Sequence, residues 1–392
     1  MPKNLKKFTA VTREIVGSYD EASFLQCALE IRKELVDPAP VALVFATPDF
    51  RPFLPEMCET LRVDGHIVDV VGCTVGGWIA GDHEMETGSG CTIMALRAEI
   101  GEPVQLQPGT FLPSTSPWLA EPPNAWIALG NPYTFTMEEW LAESNKRHPR
   151  LPVVGGLASG RNEYETMVFI NGMEVDGCAV PLVGRTQIIP MITQGCRPIG
   201  EPLPVTNAEQ NVIYALGCKP AYQVLDTVFQ TLSDEDKSNA RGNLLAGLAG
   251  SEYIEEFHSG DFVVRHIIGA DPESGAVVIA GSPRVGQTLQ YHLRNREAAM
   301  EDLKRAFKPK RGDLKKTFAA LLFSCLGRGE AFFGEKNQDA GCLSAAVEGK
   351  PVGGFFCNGE IAPVWGINSL HGYSAVAALL IDAKLPSSKP AA

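Results

Sequence analysis

Residues 41–81 decide the fold: they begin with VALVFATPDF (41–50) and end with VDVVGCTVGGWIAG (68–81). The first segment is a nearly continuous apolar run that ends in turn residues, which is typical of a strand buried on both faces. The second is an apolar run that breaks into glycines. The segment between them, PFLPEMCETLRVDG (52–65), is amphipathic. Together the three segments predict a strand–helix–strand unit.

The same order of segments occurs twice more along the chain. AWIALGNPYTF (125–135) precedes an amphipathic stretch and LPVVGGLASGRN (151–162), and AALLFSCLGRG (319–329) precedes another such stretch and KPVGGFFCNGEIAP (350–363). The paired apolar runs lie 29, 27 and 31 residues apart in the three cases, and one strand–helix–strand unit is roughly 30 residues long. We therefore expect an α/β fold with mixed β-sheets flanked by helices, in two related halves built from duplicated strand–helix–strand units.

Hairpin signals indicate that the sheets are mixed. The Asn171-Gly172 dipeptide predicts a tight turn within residues 165–184, and Asp271-Pro272 opens a second turn that closes at Gly275.

A long helical segment is predicted from about Asn207 to Leu232. Thr206 or Asn207 would be its N-cap, Gln210 would complete a capping box, and Pro220 would break the helix into two pieces.

Composition excludes several classes of protein. The chain has 34 Lys and Arg against 46 Asp and Glu, a formal net charge of −12, so a nucleic-acid partner that binds through phosphates is not expected. The basic N-terminus lacks a continuous apolar region, and no apolar run reaches the ~18 residues of a membrane span, so no membrane insertion is expected. Ten scattered cysteines without a CxxC pair indicate free thiols and a cytoplasmic location.

The glycine-rich strand ends have two interpretations. Their backbone N–H groups could bind an anion or a carboxylate, or the glycines could let strands pack closely. The spacing Gly72, Gly76, Gly77 is neither a phosphate loop nor a dinucleotide fingerprint, so ATP and NAD are not expected.

Two polar groups near apolar runs are candidates for ligand binding. Gln194 and Arg197 follow the apolar run IIPMI, and Pro198 holds Arg197 extended. A fixed guanidinium suits bidentate capture of a carboxylate, and an interdomain salt bridge is the alternative.

The second group follows two buried strands. Arg328 stands between two glycines, and Cys357, Asn358 and Glu360 end the last glycine segment. Sites in α/β proteins lie at the carboxyl ends of strands, and His371 is near enough in sequence to return there. A nucleophilic set of Cys357, His371 and Glu360 is one interpretation, and a buried thiol beside structural polar groups is the other.

The seven histidines form neither an HxH nor an HExxH pattern, so no metal site is predicted. His83 lies among acidic residues in GDHEMETGSG (81–90), which we expect to be an exposed loop. A haem would need one axial histidine, which the sequence does not select.

At the level of whole motifs the sequence resembles the FIST family of prokaryotic sensory proteins over most of its length. VVGCTVGGWI (70–79) and VVGGLASG (153–160) resemble the FIST N-terminal domain. TQGCRPIGEPLPVT (193–206), LLFSCLGRGEAFFGEKNQD (321–339) and PVGGFFCNGEIAPVWGINSLHGYSAV (351–376) resemble the FIST C-terminal domain. The resemblance implies an N-terminal extension at 1–24, a FIST N-type domain at 25–200 and a FIST C-type domain at 201–382, before a disordered tail at 383–392.

The resemblance also implies a small-ligand sensory protein, whose expected function is binding and not catalysis. The expected ligand is amino-acid-like or another acidic or zwitterionic metabolite, with a separate signalling partner such as a histidine kinase or a receptor. Some related proteins are haem-binding nitric-oxide sensors, so a haem cofactor, a thiol enzyme using Cys357 and a ligand-free interaction module are the alternatives. The predicted ligand-binding residues are Gln194, Arg197, Arg328, Cys357, Asn358, Glu360 and His371, without a predicted cofactor, metal or catalytic residue.

Overall fold

The computed structural model describes residues 8–107, 122–252, 256–257 and 260–383. These residues form two compact units. Unit 1 comprises the described residues up to 192 together with 306–370 and 375–383, and unit 2 comprises 193–305 and 371–374. The predicted linear division into domains at 25–200 and 201–382 stays a prediction.

The described residues include nine α-helices: α1 (Glu21–Leu35), α2 (Leu54–Val63), α3 (Met137–Arg147), α4 (Ala221–Gln230), α5 (Asp234–Asn239), α6 (Arg296–Ala306), α7 (Arg311–Lys316), α8 (Glu330–Phe333) and α9 (Gln338–Ala346). In the part of the chain that the structure covers, these helices are all too short or too polar to cross a membrane.

The strands of the described residues are, in chain order, β1 (Thr9–Val16), β2 (Ala39–Ala46), β3 (Ile67–Thr74), β4 (Trp78–Ala80), β5 (His83–Met85), β6 (Gly90–Arg97), β7 (Val104–Leu106), β8 (Ala125–Gly130), β9 (Val153–Leu157), β10 (Val168–Ile170), β11 (Met173–Val175), β12 (Gly177–Leu182), β13 (Thr186–Thr193), β14 (Cys196–Glu209), β15 (Val212–Leu216), β16 (Lys219–Pro220), β17 (Leu244–Ala249), β18 (Phe262–Asp271), β19 (Ala276–Ile279), β20 (Thr288–Arg294), β21 (Thr317–Cys325), β22 (Val352–Cys357), β23 (Glu360–Val364), β24 (Ile367–His371) and β25 (Ala375–Asp382).

Three sheets belong to unit 1, with the strand orders β1-β6-β2-β3-β10-β11, β24-β23-β9-β8-β12-β7 and β13-β25-β21-β22-β4-β5. Unit 2 has one sheet, with the order β14-β20-β17-β18-β19-β15-β16. The unit 1 sheets are mixed, because each contains a parallel pair as well as antiparallel pairs. The predicted fold class, mixed sheets flanked by helices, is confirmed.

All three predicted strand–helix–strand units are present, and all three lie in unit 1. The parallel pairs are β2 with β3, β8 with β9, and β21 with β22. The strands are connected through α2 in the first unit, through α3 in the second, and through α8 and α9 in the third.

A glycine in the second strand of each unit packs against the first strand. Gly72 pairs with Val44, Gly155 with Ala128, and Gly354 with Leu322. A Cβ added at any of the three would overlap the carbonyl oxygen of its pairing partner, far inside the 3.0 Å that real Cβ atoms keep. Gly155 also has φ +152°, a conformation that residues with a side chain rarely adopt. Of the two interpretations of the glycines, close packing of strands is therefore the one observed at these positions.

The apolar side chains of the three unit 1 sheets meet in one core. It includes Leu43 and Phe45 of β2, Ile127 of β8, and Phe323 and Phe355 of the third unit. The ring of Phe355 lies 4.5 Å from that of Phe45 and 5.7 Å from that of Phe323. The aromatic contacts thus join the first and third strand–helix–strand units. Unit 2 has a separate apolar cluster between α4 and its sheet.

Both predicted hairpins are confirmed. Asn171 and Gly172 have φ of 51° and 81° and connect β10 to β11, which pair in antiparallel register. Asp271 accepts backbone N–H bonds from Glu273 and Ser274 at the start of the turn between β18 and β19.

The predicted helix from Asn207 to Leu232 is wrong in its first half. Thr206 and Asn207 lie in β14, and β15 follows after a turn in which Gln210 has φ 51°. The helix begins only at Ala221, directly after Pro220. Thr206, the expected helix N-cap, bonds instead across to the chain after β15: its hydroxyl donates to the carbonyl of Gly217. Pairing of β15 with β14 and β19 outweighs the local helical signal.

The predicted N-terminal extension contributes a strand to a sheet of unit 1. Residues 9–16, which the sequence assigns to that extension, form β1 and pair with β6 along their whole length. The tail predicted to be disordered lies, after Ala383, outside the described residues.

The close approach at Gly354 leads to a stability prediction. Gly354→Ala should lower the free energy of unfolding by roughly 3 kcal/mol, because a methyl group cannot occupy the space of the Leu322 carbonyl. Gly341→Ala in α9 is the matched control, because a Cβ there meets nothing within 4 Å; it should raise that free energy by about 0.5–1 kcal/mol. Urea unfolding measures both, and equal effects of the two changes would contradict the account.

Candidate functional site

The predicted site residues divide between the two units. Arg328, Cys357, Asn358 and Glu360 belong to unit 1, whereas Gln194, Arg197 and His371 belong to unit 2.

The unit 1 group lies where the parallel strands β21 and β22 end. Cys325 and Cys357 are paired as the last residues of these strands, Arg328 follows three residues after β21, and Glu360 begins β23. The predicted location at the carboxyl edge of a parallel pair is therefore observed for this group.

Arg328 is fully buried and held by Asp339 at the start of α9. Its Nε donates to Oδ2 of Asp339 and its Nη2 to Oδ1, both at 2.7 Å, and the Ser324 hydroxyl donates to Oδ2 at 2.7 Å. Burial lowers the pKa of Arg328, but the carboxylates of Asp339 and Glu360 more than offset this and hold it above its ordinary value. A guanidinium whose Nε and Nη2 are both held by one buried carboxylate is a structural anchor more than a receptor for a ligand carboxylate.

Cys357 and Glu360 are also fully buried. Sγ of Cys357 lies 3.6 Å from the carbonyl oxygen of Phe355, and a side chain at Gly156 would overlap it. Burial first, and the Glu360 charge second, raise the pKa of Cys357 well above its ordinary value. The thiol therefore stays protonated, which is unfavourable for a nucleophile.

Asn358 differs from its neighbours, because its side chain is exposed at the turn between β22 and β23. Its backbone N–H donates to the carbonyl of Leu157 at 3.1 Å.

The predicted residues of unit 2 are engaged within that unit. The backbone N–H of Gln194 donates to Asp302 at 2.8 Å, and its side-chain amide donates to the carbonyl of Phe262. Arg197 forms a salt bridge of 2.7 Å with Asp236. His371 is 3% exposed.

Sequence reasoning missed Glu84, which completes the unit 1 group. The expected exposed loop at 81–90 is wrong here, because His83–Met85 form β5 and Glu84 is only 6% exposed. Oε1 of Glu84 accepts the N–H of Ala340 in the first turn of α9 at 2.6 Å, and the N–H of Glu84 donates to Oδ1 of Asn337 at 2.8 Å. These bonds join β5 to the N-terminus of α9, where a carboxylate is favoured.

The second oxygen of Glu84 stays without a hydrogen-bond partner among the described residues, although it is buried. Burial first, and then the charge of Asp339, raise the pKa of Glu84 to about 7. The only sequence signal for this residue is indirect: the quoted family motif at 321–339 ends on Asp339, the carboxylate beside it.

A pocket of about 610 Å³ opens beside Glu84 in unit 1, a size within the usual range for small-molecule sites. Its lining includes three carboxylates and one lysine, and the full set is His83, Glu84, Met85, Glu86, Thr87, Glu330, Ala331, Lys336 and Asn337.

The pocket does not fit a haem. The only histidine in its lining, His83, is 3.6 Å from Asp82, and its side chain is 65% exposed. A porphyrin needs an apolar cleft, and its negatively charged propionates would be repelled by the carboxylates of this pocket. Within the described ranges, no group of three or more His, Cys, Asp or Glu side chains is arranged to hold a metal ion.

The fold and this pocket define a class: an α/β protein with a small-molecule-sized acidic pocket at the carboxyl edge of a parallel strand pair. Two family models match the chain, the FIST N domain over residues 40–219 and the FIST C domain over residues 221–363. The chain therefore belongs to the FIST family, whose domains are associated with sensory and signalling roles.

Curated relatives are similar over nearly their whole length. The chain is 31% identical over 371 residues to the uncharacterized protein Mb0898c of Mycobacterium bovis, covering 91% of this chain and 95% of the relative. It is 31% identical over 372 residues to the uncharacterized protein MT0656 of Mycobacterium tuberculosis, with the same coverage of both chains.

The burial of Cys357 leads to a reactivity prediction. Iodoacetamide should modify the exposed Cys218 in the native protein, whereas Cys357 should react only after unfolding, because its thiolate is absent near neutral pH. Mass spectrometry of digested protein after timed labelling gives both rates. Labelling of native Cys357 as fast as Cys218 would restore the thiol-enzyme alternative.

The Arg328–Asp339 pair leads to a stability prediction. Arg328→Met should lower the free energy of unfolding by roughly 3–5 kcal/mol, because it leaves the Asp339 charge buried without its partner. Adding Asp339→Leu should recover part of the loss. Arg161→Met, at an exposed arginine of the same unit, should change the value by less than about 0.5 kcal/mol. A cost for Arg328→Met as small as that of the control would disprove the anchor role.

Proposed function

We propose that the protein is a cytoplasmic sensory protein that binds a small, amino-acid-like molecule and signals through a separate partner, such as a histidine kinase or a receptor. The observation that carries the proposal is the pocket beside Glu84, in a chain whose family is associated with sensing. The pocket has the volume of a metabolite site, and one of its lining residues, Glu84, has a buried carboxylate oxygen without a partner among the described residues.

The charges of the pocket favour one of the two expected kinds of ligand. Glu84, Glu86 and Glu330 would repel a purely acidic metabolite, whereas a zwitterion could place its ammonium group near the carboxylates and its own carboxylate near Lys336. Arg328, the predicted carboxylate receptor, is already held by Asp339. The proposal is therefore for a zwitterionic ligand in preference to an acidic one.

A thermal-shift screen tests the proposed function. The purified protein is heated with each of the twenty amino acids and a panel of other metabolites at millimolar concentration. A ligand present at 100 times its Kd should stabilise the folded state by about 2.7 kcal/mol, which raises the Tm by several degrees. An unchanged Tm with every compound would overturn the proposal.

A further inference from the structure

We propose that the pocket beside Glu84 binds its ligand through a positively charged nitrogen, which donates to Oε2 of Glu84. The proposal rests on the proposed function, because it names the ligand class of the same site. It takes in amines and amidines, whether or not they also carry a carboxylate.

The Glu84 side chain is held in place with one oxygen unused. The Ala340 N–H donates to Oε1 at 2.6 Å, and the bond from the Glu84 backbone to Asn337 holds the strand. Oε2 is buried and has no partner in the described part of the chain, and Glu84 is one of the residues that line the pocket. A buried polar oxygen left without a donor is costly, so a ligand that supplies an N–H to this oxygen would remove that cost.

The charges around the pocket also favour a cation. Glu84 is accompanied by Glu86 and Glu330, and Lys336 is in the lining as well. Lys336 already pairs with Glu330 at 3.7 Å. The remaining carboxylates attract a cation and repel an anion.

The ligand groups of the pocket suit an organic cation and not a metal ion. A hard metal ion needs several oxygen ligands converging on one point, and the described residues present no such group of three. One buried oxygen suits a directional N–H donor of an ammonium or amidinium group.

The pH dependence follows from the groups that face Glu84. They are His83 and Glu86 beside it on the same hairpin, Glu330 of α8, Lys336 before α9, Asp339 of α9 and Arg328 after β21. Because burial and Asp339 raise the pKa of Glu84 to about 7, the carboxylate is charged above that pH and neutral below it. Cation binding should therefore be strong above pH 7 and weaken as the pH falls through 7.

The test uses three probes with the same four-carbon chain: butane-1,4-diamine, butane-1,4-diol and succinate. Isothermal titration at constant ionic strength measures the Kd of each for the full chain at pH 8. The diamine should bind at least about tenfold tighter than the diol, and succinate should bind weakest. Between pH 8 and pH 6 the diamine, which keeps both protons, should lose about tenfold in affinity.

Variants identify the residue responsible. Glu84→Gln keeps an oxygen for the Ala340 N–H but removes the charge, and should weaken diamine binding about tenfold or more and abolish its pH dependence. His83→Gln should keep the pH dependence. Glu59→Gln is the matched control, since Glu59 is an exposed carboxylate lining a different pocket of unit 1, and should leave the Kd within about twofold. Circular dichroism and the Tm establish that each variant is folded. If a variant does not fold, the pH series on the wild-type protein still tests the inference.

The outcomes separate the two proposals. Binding of succinate or the diol as tight as the diamine, diamine binding unchanged by Glu84→Gln, or absent diamine binding overturns the charged-nitrogen inference; if the screen above still finds a stabilising metabolite, the sensory function stands. If neither the probes nor any screened compound binds, both proposals fail.

Discussion

The architecture depends on how closely the two parallel strands of each strand–helix–strand unit approach one another. At Gly72, Gly155 and Gly354 the backbone of the second strand lies where a side chain would overlap a carbonyl oxygen of the first. The same constraint therefore accounts for one glycine in the second strand of each of the three units. The Phe355 ring next to Gly354 packs on Phe45, and this contact joins the third unit to the first.

The candidate site is a consequence of this arrangement. The close pairing of β21 and β22 brings Cys325 and Cys357 together at the carboxyl edge, and the chain then turns through Arg328 towards α9. Asp339 in the first turn of α9 holds Arg328, and Glu84 on β5 accepts an N–H from the same turn. The N-terminus of α9 thus positions both the Arg328–Asp339 ion pair and the carboxylate of Glu84, which has one oxygen without a partner among the described residues. The pocket opens beside Glu84.

The sequence alone was sufficient to predict those elements of the fold that short-range patterns determine. The three strand–helix–strand units followed from apolar runs at constant spacing, and the Asn171-Gly172 turn from backbone preference. It was insufficient where long-range pairing decides: β15 is a strand because β14 and β19 flank it, against a local capping signal at Thr206. Glu84 was missed for the same reason, since its burial depends on Asn337 and Ala340, more than 250 residues away in sequence. The position of Arg328 after a buried strand could be predicted from the sequence, but its ion pair with Asp339 could not.

The central claim is that Glu84 is a buried, poised carboxylate at the ligand site. The most direct test is a pH titration of its side-chain carboxyl carbon by NMR in protein labelled at glutamate, with Glu84→Gln assigning the signal. The account predicts a midpoint near pH 7 that moves to lower pH when butane-1,4-diamine is added, because a bound cation favours the charged form. A midpoint near the ordinary glutamate value of about 4.3, unmoved by the diamine, would contradict it.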